Sequence, residues 1–268
     1  MKSDTFELDG IQVLIEGDGE QTILMIHGWP DTYRLWDAQV AELGQHYRCV
    51  RFTLPGFDIA KPARPSSLQQ VVDLIRAIAD RASPDRAVIM MVHDWGCLFG
   101  YEYVAQHPAR VARLVGIDIG DATSPAYRRS LGFKAILLTV AYQGWLAIAW
   151  KLGGKLGDRM THFMAKAMRC PSDPARIGAQ MNYPYYMTWT GAYGGFRRAA
   201  QLRPACPMLY LYGKRKPFMF HSPEFVDRLA ATPGSAAHGL DTGHWLMIEQ
   251  PVAFNRIVTQ WLASGTSA

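Results

Sequence analysis

Ala87-Val88-Ile89-Met90-Met91-Val92-His93-Asp94-Trp95-Gly96-Cys97 is the stretch on which the reading of this chain turns. A run of six apolar residues feeds straight into a polar corner. Leu98 to Gln106 then reads as a helix. Strand, one-residue corner and helix together describe a nucleophile elbow, which holds one side chain exposed at the end of a buried strand. Serine is the usual occupant of that corner. Here it is Asp94, and a carboxylate can break bonds that a hydroxyl cannot.

On either side of the corner, strands and helices alternate, the pattern of an α/β fold with a mostly parallel sheet flanked by helices. Phe6 to Leu8, a turn at Asp9-Gly10 and Ile11 to Ile15 predict a hairpin. Strands follow at Thr22 to Ile26 and Tyr47 to Phe52, with a helix from Leu35 to Leu43 between them. Val71, Val72, Ile75, Ile78 and Ala79 recur at helical spacing within Leu68 to Arg81. Val111 to Ile119 is the strand after the elbow helix. From Ala122 to Ala199 no clear strand is visible, and Trp, Tyr, Met, Gly and Arg dominate. Strand character returns at Pro207 to Tyr212. Ser222-Pro223 starts a helix, with serine as N-cap and proline at the first helical position. A short strand ends near Leu240, Asp241 to His244 is a loop, and Pro251 to Ala263 is the closing helix. The expected organisation is a core of residues 1–121 and 200–268 with a helical cap of 122–199 inserted between its halves.

With 268 residues, 49% hydrophobic and 19% charged, the chain has the composition of one globular domain with an insertion. The net charge of +5 weakly favours acidic partners, but the cations are scattered, as at Arg128-Arg129 and Arg197-Arg198. A solvated surface accounts for them better than a nucleic-acid site. Cys49, Cys97, Cys170 and Cys206 show no metal-ligand spacing and read as reduced and mostly buried. No secretory signal is visible near the N-terminus, so the expected location is cytoplasmic. Ala135 to Trp150 is nearly all apolar, yet shorter than the roughly 20 residues a membrane span needs, and Gln143-Gly144 interrupt it. No stable membrane insertion is expected; a helix buried against an apolar substrate pocket is.

Three motifs occur in an informative order. His27-Gly28-Trp29-Pro30 follows the strand Thr22 to Ile26, His93-Asp94-Trp95-Gly96 forms the elbow, and Gly243-His244-Trp245 precedes Glu249 and Pro251. Together they resemble the α/β-hydrolase fold family, and within it the epoxide hydrolase and haloalkane dehalogenase branch with its H-G-x-P, H-D-W-G and G-H-W…E-x-P segments. The resemblance spans essentially the whole chain. It implies that Asp94 is a nucleophile forming an alkyl ester and that His244 is the base activating water to hydrolyse it. The backbone N–H groups of Trp29 and Trp95 would hold the oxyanion. No metal and no organic cofactor is implied; water is the second substrate.

The resemblance also exposes departures. Many relatives place the acid that orients the histidine after the strand Pro207 to Tyr212. Here that stretch reads Gly213-Lys214-Arg215-Lys216-Pro217, and a lysine cannot accept an imidazole N–H. One group of dehalogenases carries the acid after the strand that follows the elbow helix. That register falls on Asp118, with Asp121 as fallback; a structural capping role for this acid is the alternative. Epoxide hydrolases of this fold use two cap tyrosines as donors to the epoxide oxygen. The registers fall on Tyr142 in Ala141-Tyr142-Gln143 and on Tyr186, with Tyr185 and Tyr183 as alternatives. Val92 stands where the elbow usually has a small residue, and its β-branch crowds the turn.

The leading expectation is therefore epoxide opening to a vicinal diol. A haloalkane or haloacid dehalogenase is the alternative within hydrolases, and a non-catalytic ligand-binding protein on the same scaffold is the alternative outside them. The aromatic segment with Trp145, Trp150 and Trp189 suggests a small apolar or aromatic substrate. Oligomeric state is open, a homodimer through the cap being one option.

Overall fold

A computed structural model describes residues 2–264. Eight strands form one sheet in the order β1-β2-β4-β3-β5-β6-β7-β8. β1 (Ser3–Leu8) and β2 (Ile11–Glu16) are the expected antiparallel hairpin, and β2 continues antiparallel onto β4 (Arg48–Phe52). Asp9 and Gly10 both have positive φ, the turn whose twist matches paired strands. From β4 through β3 (Thr22–Ile26), β5 (Val88–His93), β6 (Val111–Ile117), β7 (Met208–Gly213) and β8 (Ala236–Leu240), every pairing is parallel. β3 and β5 are buried on both faces, which explains why they read as continuous apolar runs rather than alternating ones.

The pleat sends alternate side chains to two cores. Leu24, Ile26, Met90 and Val92 pack with α2 (Leu68–Ala82), α3 (Trp95–Gln106) and α8 (Pro223–Ala231). Ile23, Met25, Ile89 and Met91 pack on the other face with α1 (Asp37–Leu43) and α10 (Pro251–Ala263). Ser67 starts α2 with a capping box, accepting from Gln70 N while the Gln70 side chain accepts from Ser67 N. A single turn, α9 (Leu246–Glu249), precedes α10. Cys49 and Cys97 are buried, Cys170 and Cys206 half-buried, and all four are free thiols.

Between β6 and β7 the chain forms α4 (Pro125–Ser130), α5 (Phe133–Leu152), α6 (Gly154–Ala167) and α7 (Tyr183–Thr190). The expectation that the apolar stretch Ala135 to Trp150 is buried does not hold. α5 buries only Leu146, Ala147 and Ala149 fully, and Phe133, Leu137 and Ile148 point outward. Its neighbours α6 and α7 cover one side of it, and its composition is apolar all round, so the other side stays uncovered among the described residues.

Candidate active site

The parallel strands end together at one edge, where ligand sites of open α/β sheets lie. β5 ends at His93, and Asp94 turns the corner with φ 52° and ψ −121° before α3 begins at Trp95. A non-glycine residue at positive φ is strained, so surrounding contacts must hold it there. Gly28 allows the loop after β3 to press against the corner; a Cβ there would collide with the Asp94 carboxylate and Trp95 N. Trp29 N then donates to Asp94 Oδ1 at 2.7 Å. The β-branched Val92 is accommodated because residue 100 is glycine: a Cβ at Gly100 would stand 2.7 Å from Val92 Cγ1. The corner therefore forms in spite of the valine.

The loop carrying Trp29 is itself fixed. His27 Nε2 accepts from Leu54 N at 2.9 Å, so its Nδ1 carries the proton and donates to Gly28 O at 2.9 Å. Burial pushes its pKa down to about 4, which keeps that ring neutral.

His244 follows β8 and sits across from the corner. Its Nε2 lies 3.4 Å from Asp94 Oδ2, and its Nδ1 lies 2.5 Å from Asp118 Oδ2. Asp118 comes at the end of β6, also at positive φ (66°), and is fully buried. Gly213 N donates to its Oδ1 at 3.0 Å, and Lys216 Nζ bonds the same oxygen. Burial alone would raise the Asp118 pKa. The Lys216 ammonium and the His244 ring outweigh it and hold the carboxyl below its ordinary range. For His244, burial works downward, but the Asp118 charge and hydrogen bond, followed by Asp94, raise its pKa to about 9. Asp94 is held below its ordinary value; burial opposes this, and the His244 contact and Trp29 N–H favour it. The fallback acid, Asp121, is engaged elsewhere. It accepts from Ser222 N and Oγ and from Ser124 Oγ, tying down the starts of α8 and α4.

Lys216, in the stretch after β7 where an acid was expected, thus bonds the carboxylate that meets His244. Its side chain is only 7% exposed, so the pair is a buried one. Removing one partner of such a pair leaves an uncompensated charge. Lys216→Met is expected to destabilise the fold by about 3 kcal/mol. Urea unfolding would measure this, and a midpoint matching the parent protein would contradict it.

Over the corner lie aromatic side chains from the insertion. Tyr185 is buried, with its ring 5.1 Å from Trp95, 5.8 Å from Trp29 and 6.1 Å from Tyr142. Burial first, and then the Asp94 charge, raise the pKa of both Tyr185 and Tyr142, so both keep their protons. Tyr142 Oη already accepts from Gln143 Nε2 at 3.1 Å, which leaves its own O–H free to donate. Tyr186 is half-buried on another face of α7, since one residue along a helix is a rotation of about 100°. Tyr183 packs against Phe57 and Trp150 instead. Trp29 Nε1 donates to Asn182 Oδ1 at 2.7 Å, so that indole is committed to a structural bond.

Two features of the site escaped the sequence reading. Asp31, next to Pro30, is buried; its carboxylate accepts from Trp245 Nε1 at 3.0 Å and from Ser172 Oγ in the insertion. Burial pushes its pKa up to about 6. Its position right after the H-G-W-P motif was the available signal. Asn182 carried none: its partners, Trp29 and Thr161, are 153 and 21 residues away.

The sheet order, the strained corner and the loop histidine after the last strand define an α/β hydrolase. A model described as "Alpha/beta hydrolase family" matches residues 23–257, and the chain belongs to that family. Epoxide hydrolase 1 of Caenorhabditis elegans is 30% identical over 105 residues, 38% of this chain and 26% of that protein. The Mycobacterium tuberculosis protein named "Probable oxidoreductase EphD" is 29% identical over 118 residues, 41% of this chain and 20% of that one. These matches therefore span about a quarter or less of the curated relatives' lengths. Among solved structures, the Bacillus megaterium epoxide hydrolase in complex with an inhibitor superposes with a TM-score of 0.69 at 20% identity, covering 97% of this chain and 100% of that one. At that identity the likeness concerns the fold.

Proposed function

We propose that the protein is an epoxide hydrolase, converting a small apolar or aromatic epoxide to a vicinal diol through an ester on Asp94. The observation that carries this reading is a carboxylate at the elbow, 3.4 Å from an imidazole whose other nitrogen meets a buried acid. Asp94 Oδ2 attacks an epoxide carbon, and the C–O bond of the ring breaks. Tyr142 and Tyr185 donate to the departing oxygen. Asp94 Oδ1 becomes the ester carbonyl, already bonded to Trp29 N, and the first N–H of α3, at Trp95, serves as the second oxyanion donor. Water deprotonated by His244 then adds to the Asp94 carboxyl carbon, and collapse of the adduct releases the diol and restores the carboxylate. Asp118 holds the imidazole and balances its charge. Residues 122–199 act as a cap that supplies the tyrosines and closes the pocket over the core of 1–121 and 200–268.

Within this reading the ionised Asp94 contributes to the high pKa of His244. Ester formation removes that charge. The pKa of His244 should then fall below about 9, freeing the imidazole to act as base. A titration of the free enzyme by NMR is expected to place His244 near pH 9, while ester hydrolysis in single-turnover kinetics should rise with pH through a lower pKa. Equal values in the two measurements would remove this step. The same shift bears on stability. A folded-state pKa above the usual 6.5 stabilises fully below about pH 6.5 and is lost as pH rises through about 9.

Tyr142→Phe and Tyr185→Phe are each expected to slow ester formation by roughly 10- to 100-fold, and Tyr186→Phe by less than about twofold. Stopped-flow measurement of the alkylation phase separates them; a larger loss at Tyr186 would move the donor to that residue.

Two observations weigh against the rival readings. A halide cradle needs converging indole N–H groups, and that of Trp29 is taken by Asn182. A non-catalytic scaffold predicts a His244 with no carboxylate neighbour, whereas Asp118 lies 2.5 Å away. A panel of terminal epoxides and haloalkanes, assayed for diol and for halide, tests the proposal. Halide release without diol formation would replace it with a dehalogenase, and no turnover of either class with the binding reading.

A further inference from the structure

We infer that the outer face of α5 and α6 is a docking surface for the surface of an anionic lipid bilayer. This surface stands apart from the reading of the active site and does not depend on it. Phe133, Leu137, Ile148 and Leu152 recur along α5 at spacings that keep them on one side of a helix, and all are exposed, Phe133 by 82%. Trp145 of α5 packs at a tilt against Phe163 of α6, itself 61% exposed, with ring centroids 5.5 Å apart. The contact joins the two helices into one continuous apolar face. A patch of this kind on a folded protein marks an interaction site.

Charge identifies the partner. Residues 122–199 contain eleven Lys and Arg against two acids, Asp158 and Asp173, so this segment carries +9. The rest of the chain carries −4, and the overall +5 conceals that division. All eleven cations are exposed, and only Arg129 pairs with an acid among the described residues, with Glu224 at 3.8 Å. Lys134, Lys151, Lys155, Arg159 and Lys166 lie on the same two helices as the apolar face. Apolar residues beside unpaired cations fit acyl chains beneath anionic headgroups. A second copy of the chain fits poorly, because a two-fold contact would bring this cationic segment against itself.

The contact is peripheral, with the helix lying along the surface. α5 is long and apolar enough to span a bilayer by length and composition alone. However, Leu146, Ala147 and Ala149 are buried within the insertion, and Tyr142 on the same helix packs inward towards Tyr185. Leaving that packing would dismantle the insertion.

The full chain should be sedimented with vesicles of phosphatidylcholine alone, and with vesicles containing roughly 30 mol% phosphatidylglycerol, at about 50 mM and about 500 mM salt. Binding is expected to be at least about tenfold tighter to the anionic vesicles and to weaken at high salt. The triple variant F133S/L137S/I148S should lose that binding by about tenfold or more while keeping its melting temperature. K151Q/K155Q should weaken it severalfold. Three results would each overturn the inference. They are equal binding to both vesicle types, undiminished binding by the triple variant, and a homodimer in light scattering that the triple variant dissociates. The lipid and salt comparisons need no variant, so they stand even if a substitution disturbs folding. None of these measurements involves turnover, so their failure would leave the epoxide reading untouched.

Discussion

Asp94→Ala is expected to lower epoxide turnover by about four orders of magnitude or more, with the fold intact. The corner residue is half of the proposed covalent chemistry, and no other side chain shares its position. His244 would still be present to activate water, but that water would have to attack the saturated carbon directly, without the carboxylate held beside it. Alanine at φ 52° keeps the backbone strain of the corner while removing the side chain that Trp29 N holds. Isotope placement separates loss of a nucleophile from loss of a structural residue. With parent enzyme in excess and water enriched in oxygen-18, the first turnover should give unlabelled diol and a labelled Asp94 carboxylate. The ester oxygen leaves with the product, and the water oxygen stays on the enzyme. Label in the diol at the first turnover would sink the covalent route.

His244→Gln is expected to divide the reaction in two. The ester should still form, because Asp94 is ionised without help from a base. Its hydrolysis should slow by about 10³-fold or more, since the water loses its proton acceptor. The visible result would be a burst of up to one epoxide consumed per enzyme, followed by near-arrest. Intact-protein mass spectrometry should then show a stable adduct equal in mass to one substrate. Asp118→Asn should give a milder form of the same arrest, since the ring would remain but lose its orienting charge. A burst-free loss of activity in His244→Gln would mean that His244 acts in the first step instead.

How much of this was legible from the chain depended on whether a residue's partner was near in sequence or encoded in a motif. The elbow was legible because strand, corner and helix are local. The hairpin, α2 and the closing helix were legible from turn chemistry, capping and periodicity. At Tyr142 the Y-Q context supplied a position. The register on Tyr186 left Tyr185 and Tyr183 open as alternatives, because which ring packs on Trp95 is set by the rotation of α7 against the sheet. The apolar run of α5 was visible, but not its exposure, since hydrophobicity records what a segment could bury rather than whether a neighbour arrives to cover it.

Lys216 shows the same division most clearly. By itself the sequence determined that the corner carries an aspartate, that a histidine follows the last strand, and that the customary acid is missing. Only the tertiary structure decided that Asp118 rather than Asp121 meets the His244 ring, and that Lys216, three residues beyond β7, bonds the same carboxylate. Local order along the chain follows from backbone propensity and apolar spacing, which act over a few residues. A buried ion pair between positions 98 residues apart exists only once the parallel strands bring β6 and β7 side by side.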